Sequence, residues 1–338
     1  MFQRLLVPLD GSIRAEQAIP TAGRLARAVG GKIVLVRVVS TSTEYWPYMA
    51  TEPESMVQTV IDADLDEAKQ YLNRMARHPD LAEIETEAVA IIGPVASTIL
   101  TLARSYATEL IVLCSHGYTG MKRWLMGSIA EKVALHATIP VLILNEGGPL
   151  THSHTDPARS FRALLPLDGS ARARSALEPA LQLVAGLSQQ TTGEVHLLRV
   201  VKPPIVEHED EETHQPIELA QRIQRAEQYL HMVIDQTQTK LPSTGIPHLT
   251  SSVVVSHDVA ETILTIAEHG DGTLPRECSD LLVLTTHGHG GLLRWAVGSI
   301  TERVLRASRL PILVIRPADM VNHVPAIPEG AQVSTTYR

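Results

Sequence analysis

The stretch ELIVLCSHGYTGMKRWLMGSIAEKVALHATIPVLIL, residues 109–144, returns without a gap as DLLVLTTHGHGGLLRWAVGSITERVLRASRLPILVI at 280–315. Fifteen of the 36 aligned positions are identical. Each copy runs from a short apolar segment through a glycine-rich loop into a helical pattern and out through a second apolar segment. Strand, helix, strand is the reading, and it occurs twice. Working outward, FQRLLVPLDGSIRAEQAI at 2–19 returns as FRALLPLDGSARARSAL at 161–177, and LVRVVS at 35–40 as LLRVVK at 197–202. A period this long marks two whole domains, not the small units of a solenoid.

Within each half, buried-type strands alternate with helices. In the first half the apolar run Leu5–Leu9 leads into one helical pattern, then KIVLVRVV, a helix from about 54 to 77, IETEAVAII, a third helix, ELIVLC, a fourth helix and PVLIL. Strands near 163–167, 194–201, 249–256, 280–285 and 311–315 follow in the second half. Apolar strands joined by helical crossovers predict a parallel sheet covered on both faces. The expected fold class is α/β, with two tandem doubly wound domains of five parallel strands each. Domain one is expected over 1–146 and domain two over 160–318. A Gly/Pro/Ser/Thr-rich linker falls at 147–159, and the tail at 319–338 is expected to fray.

Composition narrows the function. The net charge of −8 gives no support to nucleic-acid binding. No run of 18 apolar residues appears, so no membrane helix is expected. Two cysteines, Cys114 and Cys278, make no disulfide framework and no C-x-x-C pair, which fits a reducing cytoplasm.

Ligands of an open α/β sheet bind beyond the carboxyl ends of the strands, where the crossovers diverge. Three short pieces of each half should meet there. The first is the turn after strand one, Pro8-Leu9-Asp10-Gly11-Ser12 and Pro166-Leu167-Asp168-Gly169-Ser170. Its aspartate suits a ribose hydroxyl pair and equally suits helix N-capping. The second is the loop after strand four, with His116-Gly117 and His287-Gly288. The third is Gly127-Ser128 and Gly298-Ser299, at the expected start of helix four, where free N–H groups and the helix dipole favour an anion. The run Gly288-His289-Gly290-Gly291 looks like the opening of a dinucleotide fingerprint. No third glycine follows at the required distance, and there is no Gly-Lys-Ser/Thr. Trp124 and Trp295, beside the loops, read as packing anchors.

These pieces together resemble the universal stress protein family, over both halves of the chain. Nucleotide-binding members carry Gly, two residues, Gly, nine residues, Gly, then Ser or Thr. Gly117, Gly127 and Ser128 fit, as do Gly288, Gly298 and Ser299. The resemblance implies the adenine nucleotide alpha hydrolase-like fold and a regulatory protein of the stress response that binds ATP or AMP, with Mg²⁺ as a companion ion. It implies Asp10 and Asp168 at the ribose, with Pro8 and Pro166 beside them, and the backbone of Val38 and Val200 at adenine. The phosphates would lie against Leu113, Cys114, His116, Gly117, Gly127, Ser128 and Ile129. In domain two they would meet Leu284, Thr285, His287, Gly288, Gly298, Ser299 and Ile300.

The pattern's first glycine falls on Cys114 and Thr285. If that position needed a left-handed backbone, threonine there would cost on the order of 1–3 kcal/mol; an ordinary extended strand avoids the strain. No P-loop lysine and no duplicated carboxylate adjoins the glycine loop, so efficient phosphoryl transfer is not expected. A nucleotide-free scaffold and a slow ATP hydrolase are the alternatives. Family members commonly dimerise through the fifth strand. PVLIL and PILVI, hazardous as open edges, are expected to pair internally as a pseudo-dimer, with a homodimer as a further form.

Overall fold

The computed structural model describes residues 2–40, 54–115, 126–145, 150, 160–188, 193–204, 215–240, 247–270, 278–286, 298–317 and 334–336. The chain divides into two compact units, Met1–His152 with Val321–Arg338, and Ser153–Met320.

Unit 1 opens with β1 (Arg4–Pro8), whose Leu5, Leu6 and Val7 are wholly buried. The single helix expected next is two helices, α1 (Ile13–Glu16) and α2 (Ala18–Val29). Pro20 explains the break. It has no N–H to offer the Glu16 carbonyl, and its ring crowds that carbonyl. β2 (Lys32–Val39), α3 (Glu54–Met75), β3 (Thr86–Ile92), α4 (Val95–Ser105), β4 (Leu110–Cys114), α5 (Ser128–His136) and β5 (Val141–Leu144) follow. The parallel order is β3-β2-β1-β4-β5.

Unit 2 repeats this with β6 (Arg162–Pro166), α6 (Ala171–Arg174), α7 (Leu177–Leu187), β7 (Glu194–Val201), α8 (Gln215–Lys240), β8 (His248–Val255), α9 (Val259–His269), β9 (Leu281–Thr285), α10 (Ser299–Ala307) and β10 (Ile312–Ile315). Pro179 splits its first helix as Pro20 does in unit 1. Its parallel order is β8-β7-β6-β9-β10. The fourth strands of both sheets are apolar and buried over Leu110–Leu113 and Leu281–Leu284, on both faces, so each sheet needs helices on both sides.

Within 319–338 the described residues Ser334–Thr336 form β11, antiparallel to β3, with Ser334 opposite Ala90 and Thr336 opposite Ala88. The unit 1 sheet is therefore mixed, with a sixth strand on five parallel ones. The outer side of β3 offers unpaired N–H and C=O groups that any extended segment in reach can satisfy.

Candidate functional site

In each unit the first and fourth strands lie side by side, and their crossovers leave in opposite directions. That is the switch point of a doubly wound sheet.

Pro8 ends β1 opposite Val36, and Leu9 N–H donates to the Val36 carbonyl at 2.7 Å. The chain then turns through Gly11 at φ +89°, a conformation that favours glycine. Asp10 Oδ1 accepts from Ser12 N–H (2.9 Å) and Ser12 Oγ–H (2.6 Å), while Ser12 Oγ accepts from Ala15 N–H (3.1 Å). Serine is thus the cap of α1, and aspartate orients the serine. Unit 2 repeats the device. Gly169 turns at φ +86°, Asp168 Oδ1 accepts from Ser170 N–H (2.9 Å) and its hydroxyl, and Ser170 Oγ caps Ala173 N–H (3.0 Å). Pro166 closes β6 opposite Leu198. Val38 and Val200, half-buried near the ends of β2 and β7, lie opposite Ile91 and Val254.

On the fourth-strand side, Leu113 and Leu284 are buried, and Cys114 and Thr285 close their strands opposite Leu144 and Ile315. Among the described residues the positive-φ non-glycines are Phe2, Glu83 and Ala107. Cys114 and Thr285 therefore carry no left-handed strain, and the extended-strand solution holds. Gly127 N–H donates to the Ser115 carbonyl at 2.7 Å, and Gly298 N–H to the Thr286 carbonyl at 3.0 Å. These bonds fix the starts of α5 and α10 against the strand ends. Both helices have a glycine N-cap with no side-chain cap bond. Their first amides have no acceptor within the helix and carry its positive dipole end. Ser128 and Ser299 are exposed there, with Ile129 and Ile300 at 39% and 38% exposure.

Gly298 is informative because the fold does not require it. Its φ is −59°, and among the described residues an added Cβ would meet nothing nearer than 3.8 Å. His116, Gly117, Trp124, His287, Gly288 and Trp295 lie outside the described residues.

A model of the universal stress protein family matches residues 1–145 and again 161–316. The chain belongs to that family. A two-domain universal stress protein of Mycolicibacterium smegmatis is 24% identical over 326 residues, covering 93% of this chain and 97% of that one. A universal stress protein of Methanocaldococcus jannaschii is 24% identical over 146 residues, 43% of this chain and 84% of the relative. The crystal structure of a universal stress protein from Archaeoglobus fulgidus superposes with a TM-score of 0.55 at 19% identity, covering 94% of this chain and 99% of that one. At that identity the superposition speaks for the fold alone.

Both universal stress units also contain a polar cluster that the motif reading missed. In unit 1 the Arg37 guanidinium lies 3.5 Å from where a Cβ on Gly11 would sit, 5.0 Å from the Tyr71 ring centre and 3.6 Å from Glu67. The Tyr71 hydroxyl donates to Glu16 Oε1 at 3.1 Å. Burial pushes the Tyr71 phenol well above its ordinary range, and the Glu16 charge pushes it further while Arg37 opposes. In unit 2, Arg199 Nη1 donates to the Leu167 carbonyl at 3.0 Å. Burial lowers the Arg199 guanidinium, and Asp168 works against that shift. The signal was in the sequence: an arginine recurs in LVRVV and LLRVV, and a tyrosine in AKQYL and AEQYL.

Proposed function

We propose that the chain is an adenine-nucleotide-binding regulatory protein of the stress response, taking ATP or AMP at the switch point of each unit. The observation that carries this is Gly298. Neither its backbone angle nor its neighbours among the described residues call for glycine, yet it begins a helix whose first amides lack a side-chain cap. A phosphate approaching those amides is a reason for keeping the Cβ away. Gly127 starts α5 in the same way, held by the same kind of bond to the end of its strand. Asp10 and Asp168 flank the opening and would meet the ribose, and the backbone of Val38 and Val200 would meet the base. Among the described residues no three His, Cys, Asp or Glu side chains gather as a cation site, so Mg²⁺ would be held through the phosphates. Among the same residues no helix is long and apolar enough to cross a membrane.

The engagement of Asp10 and Asp168 within their own turns favours a second reading, a nucleotide-free scaffold whose turns serve only the fold. Denaturing the purified chain and resolving the supernatant by HPLC separates the two. Adenine nucleotide approaching one or two equivalents is the expected result. Its absence, together with no ATP binding by calorimetry, would rule the nucleotide reading out. Phosphate release faster than about 1 per second would make the protein an enzyme instead.

A further inference from the structure

The clusters beneath the two first-strand turns occupy equivalent positions but carry opposite charge. The equivalence is fixed by residues around them. Asp10 and Asp168 make the same turn, Arg37 and Arg199 lie against the same glycine, and Ala68, Tyr71 and Leu72 on α3 correspond to Ala226, Tyr229 and Leu230 on α8. In unit 1 the tyrosine hydroxyl and the arginine are each matched by an acid of the chain, Glu16 and Glu67. At the positions of those acids unit 2 has Arg174 and Arg225. Two carboxylates have become two guanidiniums, and the arginine between them is retained.

The consequence is visible at Tyr229. Its hydroxyl oxygen is buried and, among the described residues, has no hydrogen-bond partner. Leaving such a group unmatched is costly. Burial raises the Tyr229 phenol, Arg174 and Arg199 act on its ionisation in the opposite sense, and the Asp168 carboxylate adds a smaller rise. A buried hydroxyl donor beside two guanidiniums, with Asp168 as the nearby carboxylate and that carboxylate engaged by Ser170, offers an oxyanion three donors. The class of anion is read from unit 1, where the equivalent hydroxyl holds a carboxylate.

We propose that unit 2 binds an oxyanion, a phosphate or a carboxylate, between Tyr229, Arg174 and Arg199, at the place that the Glu16 side chain fills in unit 1. The site lies at the α6–α8 side of the Asp168 turn, whereas the nucleotide reading puts phosphates at the start of α10. It stands whether or not nucleotide binds. A free phosphate or carboxylate metabolite, or such a group on a larger ligand, would make unit 2 alone responsive to it.

The test is calorimetric titration of the full chain, free of nucleotide, with inorganic phosphate and separately with acetate. At least one should bind, and the stronger of the two names the source. Arg174→Glu, which restores the unit 1 arrangement, should weaken that binding at least about tenfold, as removing a buried charge partner does. Tyr229→Phe, a gentle change in shape, should weaken it severalfold without unfolding the protein. Lys240→Glu makes the same charge change at an exposed position on α8 and should leave binding unchanged. Glu16→Arg should create a second site of the same kind in unit 1. No binding of either anion, binding indifferent to both Arg174→Glu and Tyr229→Phe, or equal loss in Lys240→Glu would each overturn the proposal. In the last two cases the ion is held at a helix start or by net charge alone.

Discussion

On the fourth-strand side of the switch point, the two units can scarcely be told apart. Gly127 and Gly298 start their helices with the same bond to a strand end, and Cys114 and Thr285 sit in the same extended register. On the second-strand side they diverge. Val34 of unit 1 is wholly apolar and buried at 2% exposure; its counterpart His196 is buried at 4%, with Nδ1 2.8 Å from Thr250 Oγ1 and Nε2 2.8 Å from Ser252 Oγ. Thr250 in turn donates to Glu194. The position of Ser252 is Val89 in unit 1. A buried layer can change from apolar to polar only when its neighbours change with it, because each buried polar atom needs a partner. The motif-bearing side has no such freedom, since its useful groups are backbone amides.

Breaking this comparison should have its largest effect at that layer. Val34→His would bury an imidazole with Val89 where unit 2 has the Ser252 hydroxyl and with Glu87 opposite in place of Thr250. The expected loss is on the order of 3 kcal/mol from unit 1, read by urea unfolding with hydrogen exchange to assign the unit. The reverse change, His196→Val, takes the imidazole from the Ser252 hydroxyl while Thr250 keeps Glu194, and should cost unit 2 about 1 kcal/mol, of which Ser252→Val in the same chain returns part.

The tyrosine pair comes next. Tyr71→Phe gives up a hydrogen bond to a carboxylate and should cost unit 1 about 1 kcal/mol, whereas Tyr229→Phe, in buffer without oxyanions, should cost unit 2 nothing or stabilise it. The pH dependence sharpens the contrast. The Tyr71 phenol is raised in the folded state, so its contribution is fully present below the ordinary tyrosine pKa of about 10 and is lost as pH rises beyond that value. Tyr71→Phe should therefore lose less stability than the parent between neutral and strongly alkaline pH. An unchanged alkaline profile would contradict the assigned environment.

The smallest expected effect on stability is on the side the units share. Gly298→Ala places a Cβ in open space at an ordinary φ and should cost about 0.5 kcal/mol, the difference in capping preference. Its effect on ATP affinity should be disproportionate, at least tenfold by calorimetry. Affinity that follows stability would mean the glycine has no ligand to accommodate.

Much of this was legible from spacing. The duplicated strands and long helices fall within a few residues of where the apolar runs put them, because continuous apolar segments have few places to go other than a doubly covered sheet. The break at Gln17 went unread although Pro20 signals it, since the apolar period continues across the proline. The roles in the Asp-Gly-Ser turn stayed ambiguous because Asp and Ser are both capping residues; only the geometry puts serine on the helix and aspartate on the serine. The Arg37–Tyr71–Glu16 cluster was hidden by distance, as its members come from three elements whose meeting no local pattern announces. His196 shows the remaining limit. One imidazole in an apolar run reads as an exception until the hydroxyls of β8 are placed beside it.

The strand Ser334–Thr336 bears on how the chain comes into being. It belongs to unit 1, yet it follows the whole of unit 2 in the chain and is synthesised after it. A nascent unit 1 can assemble its five parallel strands early, but β3 remains an open edge until Ser334–Thr336, which follows unit 2, has been made. Removing residues 334–336 would make that interval permanent and leave the edge of β3 available to the β-strand of another molecule.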